Sequence, residues 1–325
     1  MLAAFFAVFL VLFAGSRFEV GCDYHGYALR FQSLDMQLSG LEMLGVGEGG
    51  FHALSLALKS MGYSYSALLF ACALIYLACL LRFTRVLDRP LSFLALMFPV
   101  LIVQLGMSGV RQALAVGFLM LGFAAFVRRK RLAMAAWVLV AMQFHTSAVI
   151  FLPLVYLIGR EISIRRMVLA LAVIGPVAGW LLGERIEVYS DRYIEQIYGE
   201  NSSSGAWLRY VLVVIPFILF EWKRAQFKQV YPQLYSLLRV FALITFTMAL
   251  VGMVSSVALH RLTFYVMPVS IIAFVCLGQV VEGARSRRTV KWLPFLVYGG
   301  YTAVWALGSR HASMCYDPYQ SWLLQ

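Results

Sequence analysis

Residues 104–153 read QLGMSGVRQALAVGFLMLGFAAFVRRKRLAMAAWVLVAMQFHTSAVIFLP, and this stretch decides the class of fold. It contains two apolar runs, 113–127 and 132–144, joined by the cationic turn 128–131, which reads RRKR. A short charged turn between two apolar runs predicts a helical hairpin in a membrane. The turn ties one pair of helix ends together, so the other two ends should meet at the opposite membrane face.

Polar residues stand at those two far ends of the hairpin. Arg111 and Gln112 precede the first apolar run, and His145 and Thr146 follow the second. Polar and ionisable groups at membrane depth are costly, and they commonly mark a pathway or a site. The alternatives are an arginine that snorkels to lipid headgroups and a histidine that bonds a neighbouring carbonyl in helix packing.

The composition of the whole chain agrees with a membrane protein. Of its 325 residues 62% are hydrophobic and 13% are charged, with a mean hydropathy of +0.81. Soluble domains carry about 25% charged residues. Apolar runs long enough to cross a bilayer recur along the chain, which predicts an all-α, polytopic membrane protein. The net charge of +12 lies mostly in short loops, as the positive-inside rule expects, so no nucleic-acid partner is predicted.

The apolar runs predict about eleven transmembrane helices in a single integral membrane domain, residues 1–325. The predicted spans are 1–16, 64–82, 91–107, 110–127, 132–146, 147–160, 167–183, 207–222, 235–257, 262–281 and 292–308. The basic loops alternate onto one side, which predicts a cytoplasmic N-terminus and a C-terminus outside. An amphipathic segment, 17–60, and a loop, 184–206, are then expected on the outer face.

The outer segment has internal features of its own. Apolar residues recur at helical spacing, which predicts a helix lying in the membrane interface. They are Tyr24, Tyr27, Phe31, Leu34 and Leu38. Residues 47–50 read GEGG and predict a flexible hinge before a second interfacial helix.

The five cysteines show no metal-ligand spacing, and no metal or cofactor is predicted. Cys22 and Cys315 are both expected outside, where a disulfide could link them. Cys72 and Cys79 fall inside one span and are expected to face lipid or the core. The motifs of soluble enzymes, such as a phosphate-binding loop or a nucleophile elbow, are missing from the sequence.

An active site must then be formed by residues from separate helices. Three arginines, one carboxylic acid and one imidazole are predicted to lie at the outer face. These are Arg17, Arg111, Arg261, Asp23 and His145. Such a set suits a site that grips a lipid-linked diphosphate and moves protons, because guanidinium groups stabilise the charge of a departing diphosphate. For Arg17 with Asp23 the alternative is a solvated ion pair of small energetic value.

The chain resembles the EpsG family of Wzy-like polysaccharide polymerases. The residues that carry the resemblance stand in order along the chain. They are Arg17, Gly21, Asp23, Tyr24 and Tyr27, then Arg111-Gln112 with Leu114-Ala115, then Phe144-His145 with Ser147-Ala148, then His260-Arg261 with Tyr265, and finally Pro318-Tyr319. One departure is that a further span would be expected before the first one here.

The resemblance implies a bacterial inner-membrane glycosyltransferase with a helical C-type architecture, acting without metal at the periplasmic face. Its substrate would be undecaprenyl-diphosphate-linked oligosaccharide, joined into O-antigen, capsule or exopolysaccharide. Membrane lipid, a chain-length regulator and a flippase of the same pathway are the further partners expected.

On this reading Arg111 and Arg261 hold the donor diphosphate, and Asp23 or His145 takes the proton of the acceptor hydroxyl. Asp23 is the favoured base, with His145 as an orienting donor. The other substrate-binding residues expected are Arg17, Tyr24, Tyr27, Gln112, His260 and Tyr265.

Two other functions stay open from the sequence. A flippase or transporter of the same lipid-linked sugars would need polar residues deep within several spans, where this chain has almost no charge. A membrane acetyltransferase modifying the polymer would need a histidine near a cytoplasmic acyl donor, whereas His145 is predicted on the outer side.

Overall fold

The computed structural model describes residues 2–34, 48–170, 172, 176 and 204–324. The predicted outer loop 184–206 and the predicted span 167–183 lie largely outside these residues. The described part of the chain is helical and contains no strand beyond one isolated antiparallel bridge between Arg17 and Ser321. The all-α prediction is confirmed.

The helices follow the apolar runs of the sequence, and they are numbered here in chain order. They are α1 (Leu2–Gly15), α2 (Tyr24–Gln32), α3 (Gly49–Ser60), α4 (Tyr65–Thr84), α5 (Pro90–Met97), α6 (Val110–Val127), α7 (Arg131–Met142), α8 (Leu154–Leu157), α9 (Ser204–Trp222), α10 (Arg224–Val230), α11 (Pro232–Val254), α12 (Ser256–Val280), α13 (Ala284–Val290), α14 (Leu293–Gly308) and α15 (Arg310–Cys315). A π-helix, Phe98–Gly106, continues α5, and a 3₁₀ helix, Thr146–Phe151, precedes α8. Residues 164–170 are also helical.

Five of the described helices are long and apolar enough to cross a membrane, so the protein is a helical membrane protein. They are Tyr65–Thr84, Val110–Val127, Gly205–Trp222, Pro232–Met253 and Ser256–Val280. Shorter apolar helices cover Phe5–Gly15, Pro90–Gly106, Arg131–Met142 and Thr146–Leu157. The predicted count of eleven spans is not confirmed.

Two predicted spans differ in form from the structure. Residues 147–160 are not one continuous α-helix but a 3₁₀ helix followed by the single turn of α8, with Pro153 directly before that turn. The helix predicted to begin at residue 262 begins at Ser256, so that the stretch expected at a span boundary lies in the first turns of α12. Ser255 explains the earlier start, because its hydroxyl caps the helix by accepting the N–H of Ala258 at 3.2 Å.

The chain divides into two compact units. The first contains residues 1–124, 135–149 and 298–325, and the second contains residues 125–134 and 150–297. In the first unit α1 packs on α4 and α5, while α2 and α3 also contact α4. In the second unit α9, α11 and α12 pack on one another. The single membrane domain expected from the sequence stays a prediction.

The first unit is closed by contacts between its two ends. Cys22 and Cys315 form a disulfide. The main-chain N–H of Phe18 donates to Gln320 at 2.9 Å. The disulfide inferred as a possibility from the sequence is therefore present, and these two segments lie on the same side of the unit.

Candidate functional site

The helical hairpin predicted from residues 104–153 is confirmed. Helices α6 and α7 are joined by a turn in which Arg129 has a φ of 57° and the N–H of Lys130 donates to Ala125 at 2.8 Å. In the middle of α6 the ring of Phe118 stacks on that of Phe144, which follows α7, with 5.0 Å between the centroids. The start of α6 and the residues after α7 therefore lie at the end opposite the cationic turn.

Arg111, at the start of α6, is the centre of a cluster of polar side chains. Its Nε donates to the hydroxyl of Tyr27 at 3.1 Å, and its Nη1 donates to the carboxylate of Glu48 in an ion pair. The side chain of Arg111 is 31% exposed and that of Glu48 is 8% exposed. A guanidinium has five N–H donors. Its Nη2 hydrogens make no hydrogen bond with any residue that the structure describes, so this edge of Arg111 can serve a ligand.

The position of Glu48 is set by α3, the helix that it precedes. It lies at the N-cap of α3, with a φ of 68°. The N–H of Gly50 donates to the carbonyl of Gln143 at 3.0 Å, and a Cβ at Gly50 would lie 2.8 Å from the Cβ of Gln143. Glycine is therefore needed at this close approach, which docks the beginning of α3 on the end of the hairpin. The flexible hinge predicted for residues 47–50 is wrong in this respect, because Gly49 and Gly50 form the first turn of α3.

His145 follows α7 at the same end of the hairpin. The main-chain N–H of His145 donates to Ala141 at 3.0 Å, and its Nδ1 lies 2.7 Å from the hydroxyl of Ser147. The carbonyl bonded by Gly50 belongs to Gln143, two residues before the imidazole. The hairpin thus places His145 beside the docked end of α3. Gln112, which follows Arg111 in the sequence, is buried in the interior.

Helix α2, with Asp23 at its N-cap, contains Tyr24 and Tyr27 and belongs to the first unit. Asp23 is exposed and lies at the N-cap of the helix, where its carbonyl accepts the N–H of Tyr27 at 3.0 Å. Tyr24, Tyr27 and Phe31 are buried, which confirms the first part of the predicted apolar stripe. The helix ends at Gln32, before Leu34, and Leu38 lies outside the described residues. Burial raises the pKa of both phenols, so each stays protonated at neutral pH and the Tyr27 oxygen can accept from Arg111.

The turn before α2 fixes where Asp23 lies. Gly21 has a φ of +107°, and a Cβ there would lie 2.1 Å from the carbonyl oxygen of Met107. The main-chain N–H of Cys22 donates to the hydroxyl of Ser108 at 3.0 Å. Asp23 is therefore tied through its neighbours to the segment that leads into α6 and Arg111.

Arg17 occupies a different environment from the one expected. Its side chain is 1% exposed, and its Nη1 donates to the carbonyl of Ala14 at 2.6 Å. Its Nε has no hydrogen-bond partner among the described residues. The main chain of residues 320–322 pairs with that of residues 16–18. The C-terminal tail thus pairs with the segment that carries Arg17, and the role of Arg17 in lining a sugar cavity stays a prediction.

The remaining predicted residues lie on α12 in the second unit. His260 accepts a hydrogen bond from Arg209 of α9, whose guanidinium also lies 5.2 Å from the ring of Phe264. Arg261 is partly exposed. Tyr265 is 1% exposed, with its ring 5.4 Å from that of Phe151. The phenol of Tyr265 thus packs in the core of this unit, and the joint grip of Arg111 and Arg261 on one diphosphate stays a prediction.

Sequence reasoning missed Glu48 and gave no role to Arg209. Glu48 stands among glycines, and this pattern was interpreted as a hinge, so the carboxylate that pairs with Arg111 was not recognised. The signal that could have found it is an acid within an apolar, glycine-rich outer segment of a chain with few acids. Among the described residues no group of three histidines, cysteines or carboxylates is placed to hold a metal ion.

The family model described as the EpsG family matches residues 1–321, nearly the whole chain. No curated protein and no solved structure matches the chain. The match spans both units and includes every residue of the Arg111 cluster. The chain therefore belongs to the EpsG family, which is related to the Wzy-like polymerases.

Proposed function

We propose that this protein is a polysaccharide polymerase that joins repeat units carried on undecaprenyl diphosphate at the outer face of the bacterial inner membrane. Membership of the EpsG family supports the polymerase class. The observation that carries the assignment to this site is Arg111, a partly exposed guanidinium held by Tyr27 and Glu48 with one edge left for an anion. The exposed Asp23 lies on the helix that supplies Tyr27.

In the proposed reaction the growing chain on its lipid diphosphate is the donor, and a hydroxyl of a fresh lipid-linked repeat is the acceptor. The acceptor oxygen bonds to the anomeric carbon, the bond from that carbon to the diphosphate breaks, and the hydroxyl proton passes to a base. Arg111 stabilises the charge that develops on the leaving diphosphate.

Asp23 is the proposed base because a well-placed carboxylate can accept a proton as the new bond forms. Its exposure leaves it accessible to a sugar hydroxyl. His145, at the docked end of α3, would orient a substrate oxygen through a ring nitrogen. The arrangement needs no metal in either role.

The first test is deletion of the gene followed by gel analysis of the surface glycan. Products with a single repeat are expected, because a lost polymerase leaves the repeat unit unextended. Loss of all surface glycan would instead indicate a flippase, and full-length polymer that lacks acetyl groups would indicate an acetyltransferase.

The second test assigns the two candidate bases in the complemented deletion strain. Asp23→Asn keeps the shape of the side chain but removes its basicity, so it should abolish polymerisation. His145→Gln keeps a donor and should retain partial activity. Asp88→Asn, at another exposed aspartate, is the matched control and should make full-length polymer. A dead His145→Gln variant beside an active Asp23→Asn variant would reverse the two roles.

A further inference from the structure

Glu48 is a nearly buried carboxylate that the proposed mechanism does not use. It lies at the anion-binding group itself, because its carboxylate is paired with Arg111. The two side chains differ in accessibility, at 8% exposed for Glu48 and 31% for Arg111. An incoming anion would therefore meet the guanidinium from its open edge, with Glu48 on the covered side.

A phosphate group at that open edge would share one cation with Glu48. Two anions close together repel each other strongly where water is partly excluded. The carboxylate and the phosphate thus compete for Arg111. This competition distinguishes Glu48 from Tyr27, whose neutral hydroxyl accepts from the guanidinium without opposing an anion.

The backbone at Glu48 has an unusual conformation. Its φ of 68° lies in the left-handed region, which residues with a side chain seldom adopt and which stores strain. The carbonyl of Glu48 accepts the N–H of Phe51 at 3.1 Å, and Gly50 is anchored on Gln143, so the start of α3 can stay in place. The carboxylate can then leave Arg111 by rotation about its own side-chain bonds.

We propose that Glu48 is the resident counter-ion of Arg111, which it neutralises while the site is empty and from which a phosphate group of the donor displaces it. The proposal rests on the proposed function, since it takes Arg111 as the group that binds the donor. With Glu48 in place the guanidinium is a poor site for the phosphates of ordinary membrane lipids. A diphosphate carries more charge than such a headgroup and competes better with the carboxylate.

The test measures binding of inorganic diphosphate to the purified full-length protein in detergent, by calorimetry. Glu48→Gln removes the competing charge and keeps a similar shape, so it should lower the Kd by about tenfold. Glu48→Asp keeps the charge but withdraws it by one methylene, and it should lower the Kd by a smaller factor. Glu221→Gln is the matched control, because Glu221 also pairs with an arginine, Arg239, and should leave the Kd unchanged.

Arg111→Ala separates failure of this inference from failure of the proposed site. If Arg111→Ala abolishes binding while Glu48→Gln leaves the Kd unchanged or raises it, Glu48 only positions the arginine and the counter-ion proposal is overturned. If Arg111→Ala binds diphosphate as well as the wild type, both the inference and the anion site are overturned. Where the Gln variant does not fold, the Asp variant decides alone, since weaker binding contradicts the proposal and tighter binding supports it.

Discussion

Replacement of Arg111 by lysine tests whether the guanidinium fork itself is required. Arginine at this position donates from Nε to Tyr27 at 3.1 Å and from Nη1 to Glu48. In the proposed mechanism its Nη2 is the group that binds the substrate. Lysine has one ammonium on an unbranched chain, and that ammonium cannot occupy three positions at the edges of a planar group. We expect it to follow the carboxylate of Glu48 and to lose the other two contacts.

The size of the effect follows from those two lost contacts. A hydrogen bond that involves a charged group contributes about 1.5–3 kcal/mol, and the lower value applies because the arginine side chain is partly exposed. Two such losses amount to about 3 kcal/mol, which corresponds to a fall in polymerisation rate of roughly 100-fold. Arg111→Lys should therefore be nearly as damaging as Arg111→Ala.

The assay is polymer length in a complemented deletion strain, with the level of protein in the membrane measured by blot. Arg128→Lys, at the other end of the same hairpin helix, is the control and should make polymer of normal length. Full-length polymer from Arg111→Lys at wild-type protein levels would refute the reasoning. It would mean that Arg111 only reaches towards lipid headgroups.

Three further predictions concern stability and topology. Gly21→Ala should lower the free energy of unfolding by about 3 kcal/mol or more, since it adds a Cβ at positive φ against a carbonyl oxygen. Gly26→Ala, where the Cβ would lie in open space, should not lower it, and thermal unfolding in detergent compares the two variants. Replacing both Cys22 and Cys315 by serine should cost about 2–4 kcal/mol in the same assay, because the bond closes a loop of 293 residues, and an unchanged midpoint would contradict this. In Cys315→Ser the exposed thiol of Cys22 should react with an impermeant thiol reagent in intact spheroplasts. The cysteine of Arg129→Cys should react only after permeabilisation, because the cationic turn is predicted to be cytoplasmic. The opposite pattern would show that the predicted membrane topology is inverted.

The helical hairpin was predictable because its signal is local. Continuous apolar runs bounded by a cationic turn can satisfy their backbone only as helices within a membrane. The same reasoning found α4, α9, α11 and α12. It did not find the 3₁₀ helix at Thr146–Phe151, because an apolar run alone does not distinguish a regular helix from a broken one.

The stripe of Tyr24, Tyr27 and Phe31 was readable for a similar reason, since a period of 3.6 residues puts all three on one face. The residues that this face contacts could not be predicted from the sequence. Tyr27 contacts Arg111, which is 84 residues away in the sequence, and no spacing rule connects the two. The disulfide was inferred as a possibility only because both cysteines were placed on one side of the membrane.

The sequence by itself determined that this protein is a helical membrane protein of the EpsG type, with Arg111 and His145 at the same end of one hairpin. Hydrophobic length and loop charge act locally along the chain, and they are sufficient for the fold class and the hairpin. The EpsG type was inferred instead from the resemblance of short motifs that stand in order along the chain. Only the tertiary structure decided that Glu48 pairs with Arg111, that Arg17 is buried, and that the C-terminal tail pairs with the segment around it. These contacts depend on which segments meet in space, and that follows from packing and from the close backbone approaches at Gly21 and Gly50.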